Sequence, residues 1–287
     1  MTVEVLSCPS GSVNAPLITP HVPQAARARG EIRASFCALN GRSAVADLYE
    51  AGGLRLRFPR NAQTCEAVLV NTGGGIIGGD RAALAFSVNA GGDAMITTQS
   101  AEKIYRAQNE PAEMALFLHA GAGARLEWLP QETILFDGAK LKRSFSLDMA
   151  EDARVTLLEA TTFGRLAMGE ASINGMLADI WRLRRGGKLI YADNLRLDDA
   201  LGATLDRKTC GDGARATALF LHIAPEAESL VDLARDLLEP AQCAWGASAW
   251  NGLLAIRLLS PQPEKIRSAL VPLLETLRGR PGPRVWQ

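Results

Sequence analysis

From Glu31 onward the chain alternates. Ile32, Ala34, Phe36 and Ala38 are separated by polar or small residues, and Leu54, Leu56 and Phe58 alternate with Arg55 and Arg57. Ala82, Leu84, Phe86 and Val88 take every second position. Leu141, Phe145, Leu147 and Met149 do likewise, opposed by Lys142, Ser144, Ser146 and Asp148. A period of two puts successive side chains on opposite faces, so each run predicts a half-buried strand. Turn signals separate the runs: Asn40-Gly41, Gly52-Gly53, Gly91-Gly92-Asp93, Gly121-Ala-Gly123, Asp137-Gly138 and Gly186-Gly187. The last two have the composition of hairpin turns. Almost no helical period interrupts residues 31 to 222, which argues against the strand–helix alternation of a doubly wound sheet. Many short strands instead predict a mainly β body: a sandwich, a barrel or a coiled stack of sheets. No fixed-period repeat is visible, and a β-helix without one remains compatible.

The texture changes near Pro225. Leu230, Val231, Ala234, Leu237 and Leu238 share one helical face, and Pro240 ends that pattern. Leu253 to Leu259 reads as a strand. Ile266, Leu270, Leu273, Leu274 and Leu277 recur at helical spacing between Pro263 and Gly279, with Pro272 inside, where it should kink or split the helix. Before residue 31, Pro9, Pro16, Pro20 and Pro23 stand among small and polar residues, as in a mobile arm. The expected organisation is an arm over residues 1–30, a β-rich body over 31–224, and a helical or mixed C-terminal portion over 225–287 packed on it. The tail is too short to fold alone, so Arg284 and Trp286 should dock on something.

Composition narrows the function classes. Lys plus Arg equals Asp plus Glu at 31 each, so no global field directs the chain to nucleic acid or to a membrane surface. Five scattered cysteines without a C-x-x-C fit a reducing compartment and argue against a disulfide framework or structural zinc. No run approaches a membrane span and the start lacks a signal-peptide layout, so a cytoplasmic protein is expected.

The densest chemistry lies around Thr72-Gly-Gly-Gly-Ile-Ile-Gly-Gly-Asp80, with Gly73, Gly74, Gly75, Gly78 and Gly79 packed into seven positions. Glycine permits positive φ and close approach to the backbone. The literal Gly73-x-Gly75-x-x-Gly78 matches a dinucleotide fingerprint and gives the alternative function, a nucleotide-binding enzyme using this turn. That fingerprint needs a helix opening at its third glycine, whereas the residues that follow alternate like a strand. His21, His119 and His222 lie outside any G-x-S-x-G, H-E-x-x-H or H-x-H motif, and the two that close apolar runs read as structural. Asp80, Glu132, Asp137 and Glu170, with nearby threonines, remain as a candidate polar path through the β body. An oxygen-rich, thiol-poor lining would hold a divalent ion loosely, which suits passage over storage. Glu132 with Asp137 also leaves open a carboxylate-based hydrolase, provided the two carboxyls converge.

Five segments in order resemble the family of the urease accessory protein UreD, called UreH in some organisms. They are the glycine turn to Asp80, Thr97-Thr-Gln-Ser-Ala-Glu-Lys-Ile-Tyr-Arg106, Trp128-Leu-Pro-Gln-Glu-Thr-Ile-Leu-Phe-Asp-Gly138, Phe163-Gly-Arg-x-x-x-Gly-Glu170 and Pro283-Arg-Val-Trp286. Gln99 and Glu102 stand where many members carry proline and threonine, while Lys103, Tyr105 and Arg106 are kept. The resemblance implies a β-helix-like stack of sheets with a small helical C-terminal portion, and a scaffold with no catalysis of its own. It implies binding to apo-urease with UreF and the GTPase UreG in a hetero-oligomeric complex that delivers nickel. No cofactor would be tightly bound, and nickel would be held only in transit. A nickel channel through such a subunit makes Asp80, Thr97, Thr98, Ser100, Glu132, Asp137 and Glu170 candidates for its wall. Gly73 to Gly79, Lys103, Tyr105, Arg106 and Arg165 are then the motif's structural residues.

Overall fold

In the computed structural model the chain winds back and forth between two sheets, adding one parallel strand to each on every turn. The structure describes residues 27–59, 65–170 and 173–286; the predicted arm up to residue 26 lies outside them. Sheet A has the order β14 (Lys188–Asp199), β13 (Gly175–Arg185), β11 (Ala139–Met149), β8 (Ala112–Ala120), β5 (Arg81–Val88), β1 (Arg29–Leu39), β2 (Arg42–Ala51). Sheet B has the order β16 (Ala244–Trp250), β17 (Leu253–Ser260), β15 (Ala216–Ile223), β12 (Arg154–Phe163), β9 (Arg125–Trp128), β6 (Asp93–Thr98), β4 (Cys65–Asn71), β3 (Leu54–Arg57). Two short strands, β7 (Glu102–Ile104) and β10 (Thr133–Leu135), extend the end of β12 sideways. The stack β1-β5-β8-β11-β13 is parallel throughout, as is β4-β6-β9-β12. Antiparallel strands close both ends. This is the expected β-helix-like stack, built without a repeat in the sequence.

The two sheets differ in how they are buried, and the sequence carries the difference. Sheet A has one solvated face, so β11 reads buried at Leu141, Arg143, Phe145, Leu147 and Met149 and more open between them. Sheet B is covered on both sides, so β12 and β15 are nearly continuously buried. Strands buried on both faces lose the alternation. Between the sheets lies one core, with Phe36, Phe86, Leu126 and Leu157 in it and Phe145 stacked on Trp181 at 3.9 Å. Behind sheet B a second core joins Leu129, Leu158, Phe220 and Ile256 to helices α2 (Val231–Leu238) and α3 (Pro263–Arg278). A third helix precedes them, six residues at Leu201–Asp206. The C-terminal portion therefore continues sheet B through β17 as well as capping it.

Two local expectations need correction. Pro272 does not split α3, which runs unbroken from Pro263 to Arg278. Pro272 is exposed, so the carbonyl it leaves unpaired faces water, while Ile266, Leu270, Leu273 and Leu274 anchor the helix on both sides of it. Asp137-Gly138 is not a hairpin turn. It carries the chain from β10 in sheet B to β11 in sheet A, a corner of the winding. A tight turn with Gly138 at φ 76° fits either use. Gly186-Gly187 does close a hairpin, β13 to β14.

The tail docks as expected. Arg278, at the end of α3, is buried and donates from Nε to Glu127 Oε1 at 2.9 Å. Arg280 makes a two-pronged contact with Asp93 at 2.8 and 3.0 Å and approaches Glu127 at 2.9 Å. Burial alone would raise the Glu127 pKa; the two arginines reverse this and hold it below the usual range. The Arg284 amide donates to Glu66 Oε1 at 3.2 Å, and Arg267 donates to the Trp286 carbonyl at 2.7 Å.

Candidate functional site

The glycine turn is a packing device. At Gly75, with φ 152°, an added Cβ would stand 2.3 Å from Tyr105 Cε2 and 2.8 Å from the Lys103 carbonyl. At Gly78 it would stand 2.4 Å from the Glu110 carbonyl. Bare backbone lets the next turn of the winding close over this one, and Ile76 pairs with Ile104 across that contact. The chain then enters β5, so the turn presents no helix N-terminus to an anion. Asp80 is buried with both oxygens engaged: Oδ1 accepts from the Ala28 amide at 2.8 Å, Oδ2 from the Ile77 amide at 3.0 Å. It clasps the entry of β1 to the turn.

Tyr105, Arg106, Asp137, Arg165 and Glu170 form a ladder along one corner of the stack. The Tyr105 hydroxyl donates to the Gly74 carbonyl at 3.0 Å, and its ring meets Phe136 edge-on at 5.0 Å. The Arg165 guanidinium lies over Phe136 at 4.5 Å and pairs with Glu170. Asp137 pairs with Arg106 and accepts from the Asn174 amide at 3.0 Å. The hydrogen bond from Arg165 holds Glu170 at a pKa of about 2. Lys103 is exposed beside this ladder.

The remaining candidates point in different directions. Thr97 and Thr98 are neighbours on β6 and must face opposite sides of sheet B. Thr97 is fully buried, and its Oγ1 has no partner among the described residues. Thr98 Oγ1 accepts from the Gln131 amide at 2.9 Å. Ser100 is exposed at the corner. Glu132 lines a cavity between sheet B and α3, whereas Asp137 lies in the corner ladder, so the two carboxyls do not share a cleft.

Between the sheets lies a polar cluster. Arg143, on the inward face of β11, donates from Nη2 to Asp179 Oδ2 at 2.7 Å and pairs across the interior with Glu159 of β12. Trp128 Nε1 donates to Glu159 Oε1 at 2.7 Å, and Thr133 Oγ1 accepts from Arg143 at 3.2 Å. One buried guanidinium faces two carboxylates that are themselves buried. Burial pushes Glu159 up to about 7, opposed by Arg143 and reinforced by Asp179. The Arg143 pKa is raised by the same two carboxylates against its own burial. Nearby, Asn71 Nδ2 donates to Glu102 Oε1 at 3.1 Å, and burial lifts Glu102 to about 7.

Three separate cavities lie beside these groups. An interior space of about 30 Å³, enough for roughly one water, is lined by Thr98, Glu102, Trp128, Thr133, Arg143 and Glu159. It shares Thr98 and Glu102 with a corner cleft of about 60 Å³ that Ser100 also lines. It shares Met114, Ala115 and Arg143 with a groove of about 780 Å³ on the outer face of sheet A.

The sequence has close company among known proteins. A sequence model of the family described as "UreD urease accessory protein" matches residues 28–287. The chain belongs to the UreD urease accessory protein family. It is 48% identical over 276 residues to "Urease accessory protein UreD" of Methylobacterium sp. (strain 4-46), covering 94% of this chain and 98% of that one. It is 47% identical over 265 residues to the Azorhizobium caulinodans protein of the same name, covering 92% and 98%. Against the Rhizobium johnstonii protein, also so named, it is 42% identical over 268 residues. As a UreD family member the chain has a role in urease maturation. No helix among the described residues is long and apolar enough to cross a membrane.

Sequence reasoning passed over Glu102, Arg143, Glu159 and Asp179 in this UreD family member. Arg143 had a signal: it occupies the apolar phase of β11, between Leu141 and Phe145. Asp179 likewise interrupts Leu177, Trp181 and Leu183 on β13. A charge in the inward phase of a strand must find a buried partner. Glu102 stood out as a departure from the motif.

Proposed function

We propose that this chain is the non-catalytic scaffold on which apo-urease meets UreF and the GTPase UreG, and that nickel, as cargo, crosses its interior. The observation that carries the reading is the polar seam between otherwise apolar sheets. Thr98, Glu102 and Glu159 line one small cavity, Ser100 lines a corner cleft that shares Thr98 and Glu102 with it, and Arg143 also lines the groove on sheet A. Oxygen ligands offered singly hold a divalent ion weakly and let it go. Burial raises the pKa of both Glu102 and Glu159 above the ordinary carboxylate value. Asp80, Asp137 and Glu170 line neither the interior cavity nor the corner cleft and serve the frame around this seam. The test is urease made in cells lacking this chain. The reading expects urease protein with little nickel; urease with its normal nickel content would overturn it.

A further inference from the structure

The interior cavity and the corner cleft share three residues, Leu69, Thr98 and Glu102, which form the wall between them. Two of the three are fixed. Leu69 is buried in the core between the sheets. Thr98 Oγ1 is held by the Gln131 amide at 2.9 Å, and Gln131 Nε2 donates in turn to the Gln99 carbonyl at 2.8 Å. Glu102 is half-buried and held more loosely. The Lys103 amide meets its carboxylate from the same strand, and Asn71 reaches it from another turn of the winding. Asn71 Oδ1 accepts from the Gly73 amide at 3.0 Å, which orients the side-chain amide. Its Nδ2 carries two hydrogens and stands before three acceptors: Glu102 Oε1 at 3.1 Å, Glu102 Oε2 at 3.2 Å and the Gly75 carbonyl at 3.2 Å. All three distances lie at the long end of the N–H···O range, so no single acceptor is gripped.

We propose that the Glu102 side chain is a latch between the corner cleft and the interior cavity, and that Asn71 is the positioning residue that holds it shut. With Leu69 and Thr98 fixed, Glu102 is the member of the wall that can turn aside. Lys103 is exposed and lines the same cleft, so its ammonium is placed to receive the carboxylate when it swings outward. Asn71 then keeps the Gly75 carbonyl as its acceptor, so opening leaves no amide hydrogen stranded. In the nickel reading, on which this inference rests, the latch is the step at which cargo passes from cleft to cavity.

Trp128 reports on the latch, because it lines the interior cavity and its buried Nε1 donates to Glu159. The test is hydrogen–deuterium exchange of the tryptophan indoles in the full chain labelled with nitrogen-15, the Trp128 signal being assigned by W128F. Trp181, buried in the same core but outside the cavity lining, is the control. E102A removes the latch. N71S removes the hold on it and keeps a hydroxyl to accept from the Gly73 amide. Both variants should speed exchange at Trp128 by about tenfold or more and leave Trp181 unchanged. E102Q keeps the length and an acceptor for Asn71, so it should exchange as the wild type does. An unchanged Trp128 rate in E102A and N71S, an equal rise at Trp181, or E102Q as fast as E102A would overturn the proposal. Nickel and urease are absent from the experiment, so its failure leaves the nickel route standing, and the route's own failure is read from urease made without this chain.

Discussion

Asn71 Nδ2 reaches both carboxylate oxygens of Glu102, at 3.1 and 3.2 Å, across a separation of 31 residues. The same separation joins Gly74 to Tyr105, Arg106 to Asp137 and Trp128 to Glu159. Each pair consists of neighbours one turn apart in the winding. Side chains far apart in sequence thus build both the corner ladder and the interior seam.

Glu102 should make stability depend on pH in a definite sense. Its folded pKa, about 7, lies above the ordinary 4.5. Between those values the unfolded chain releases its proton first, so stability falls as pH rises through this window and the penalty is complete above 7. E102Q removes the ionisation. Chemical denaturation of both proteins from pH 4.5 to 7.5 should show the variant gaining on the wild type across this range. A constant difference would contradict the assignment.

The glycine turn should tolerate no side chain at position 75. A Cβ there meets the Tyr105 ring, and φ 152° is unfavourable for any L residue. G75A is expected to lose about 2 kcal/mol or more. Y105A in the same chain should recover part of the loss, since the Lys103 carbonyl contact and the backbone strain remain. Thermal melts of the two variants and their combination check this.

The tail clasp should be a strong fastening. Arg278 and Glu127 are both buried, and removing Arg278 leaves the Glu127 carboxylate with Arg280 alone. R278M should therefore destabilise, by less than the about 3–5 kcal/mol of a fully stranded charge. Adding E127Q to it should restore part of that, because the half-compensated charge is then gone. Equal losses in the single and double variants would show that packing, and not charge, fastens the tail.

Sheet A could be read from the sequence because one face is wet. The alternation at Ala82–Val88 and Leu141–Met149 reports that directly. Sheet B is buried on both faces, so β12 and β15 carry no period that marks a face. Parallel pairing was hidden for a different reason: successive turns match in geometry without matching in residues, so no repeat betrays them. The motif residues were visible, but their roles followed from burial and partners. Asp80 stood out beside its glycines, yet only the structure shows the Ala28 and Ile77 amides on its two oxygens. Thr97 and Thr98 looked equivalent until the strand turned them to opposite sides of sheet B. Glu132 and Asp137 lie five positions apart in one motif and in two separate sites.

The interior seam is the central claim, and Glu159 is the place to test it. Replacing it by glutamine leaves Arg143 with Asp179, a balanced pair, so E159Q should fold and enter its complex normally. Combined with E102Q, it removes both carboxyls that line the interior cavity. The decisive measurement is the nickel content, by elemental analysis, of urease matured with the E102Q/E159Q chain. The account predicts urease with clearly less nickel at unchanged recovery of the complex. Full nickel loading by this variant would contradict the interior route.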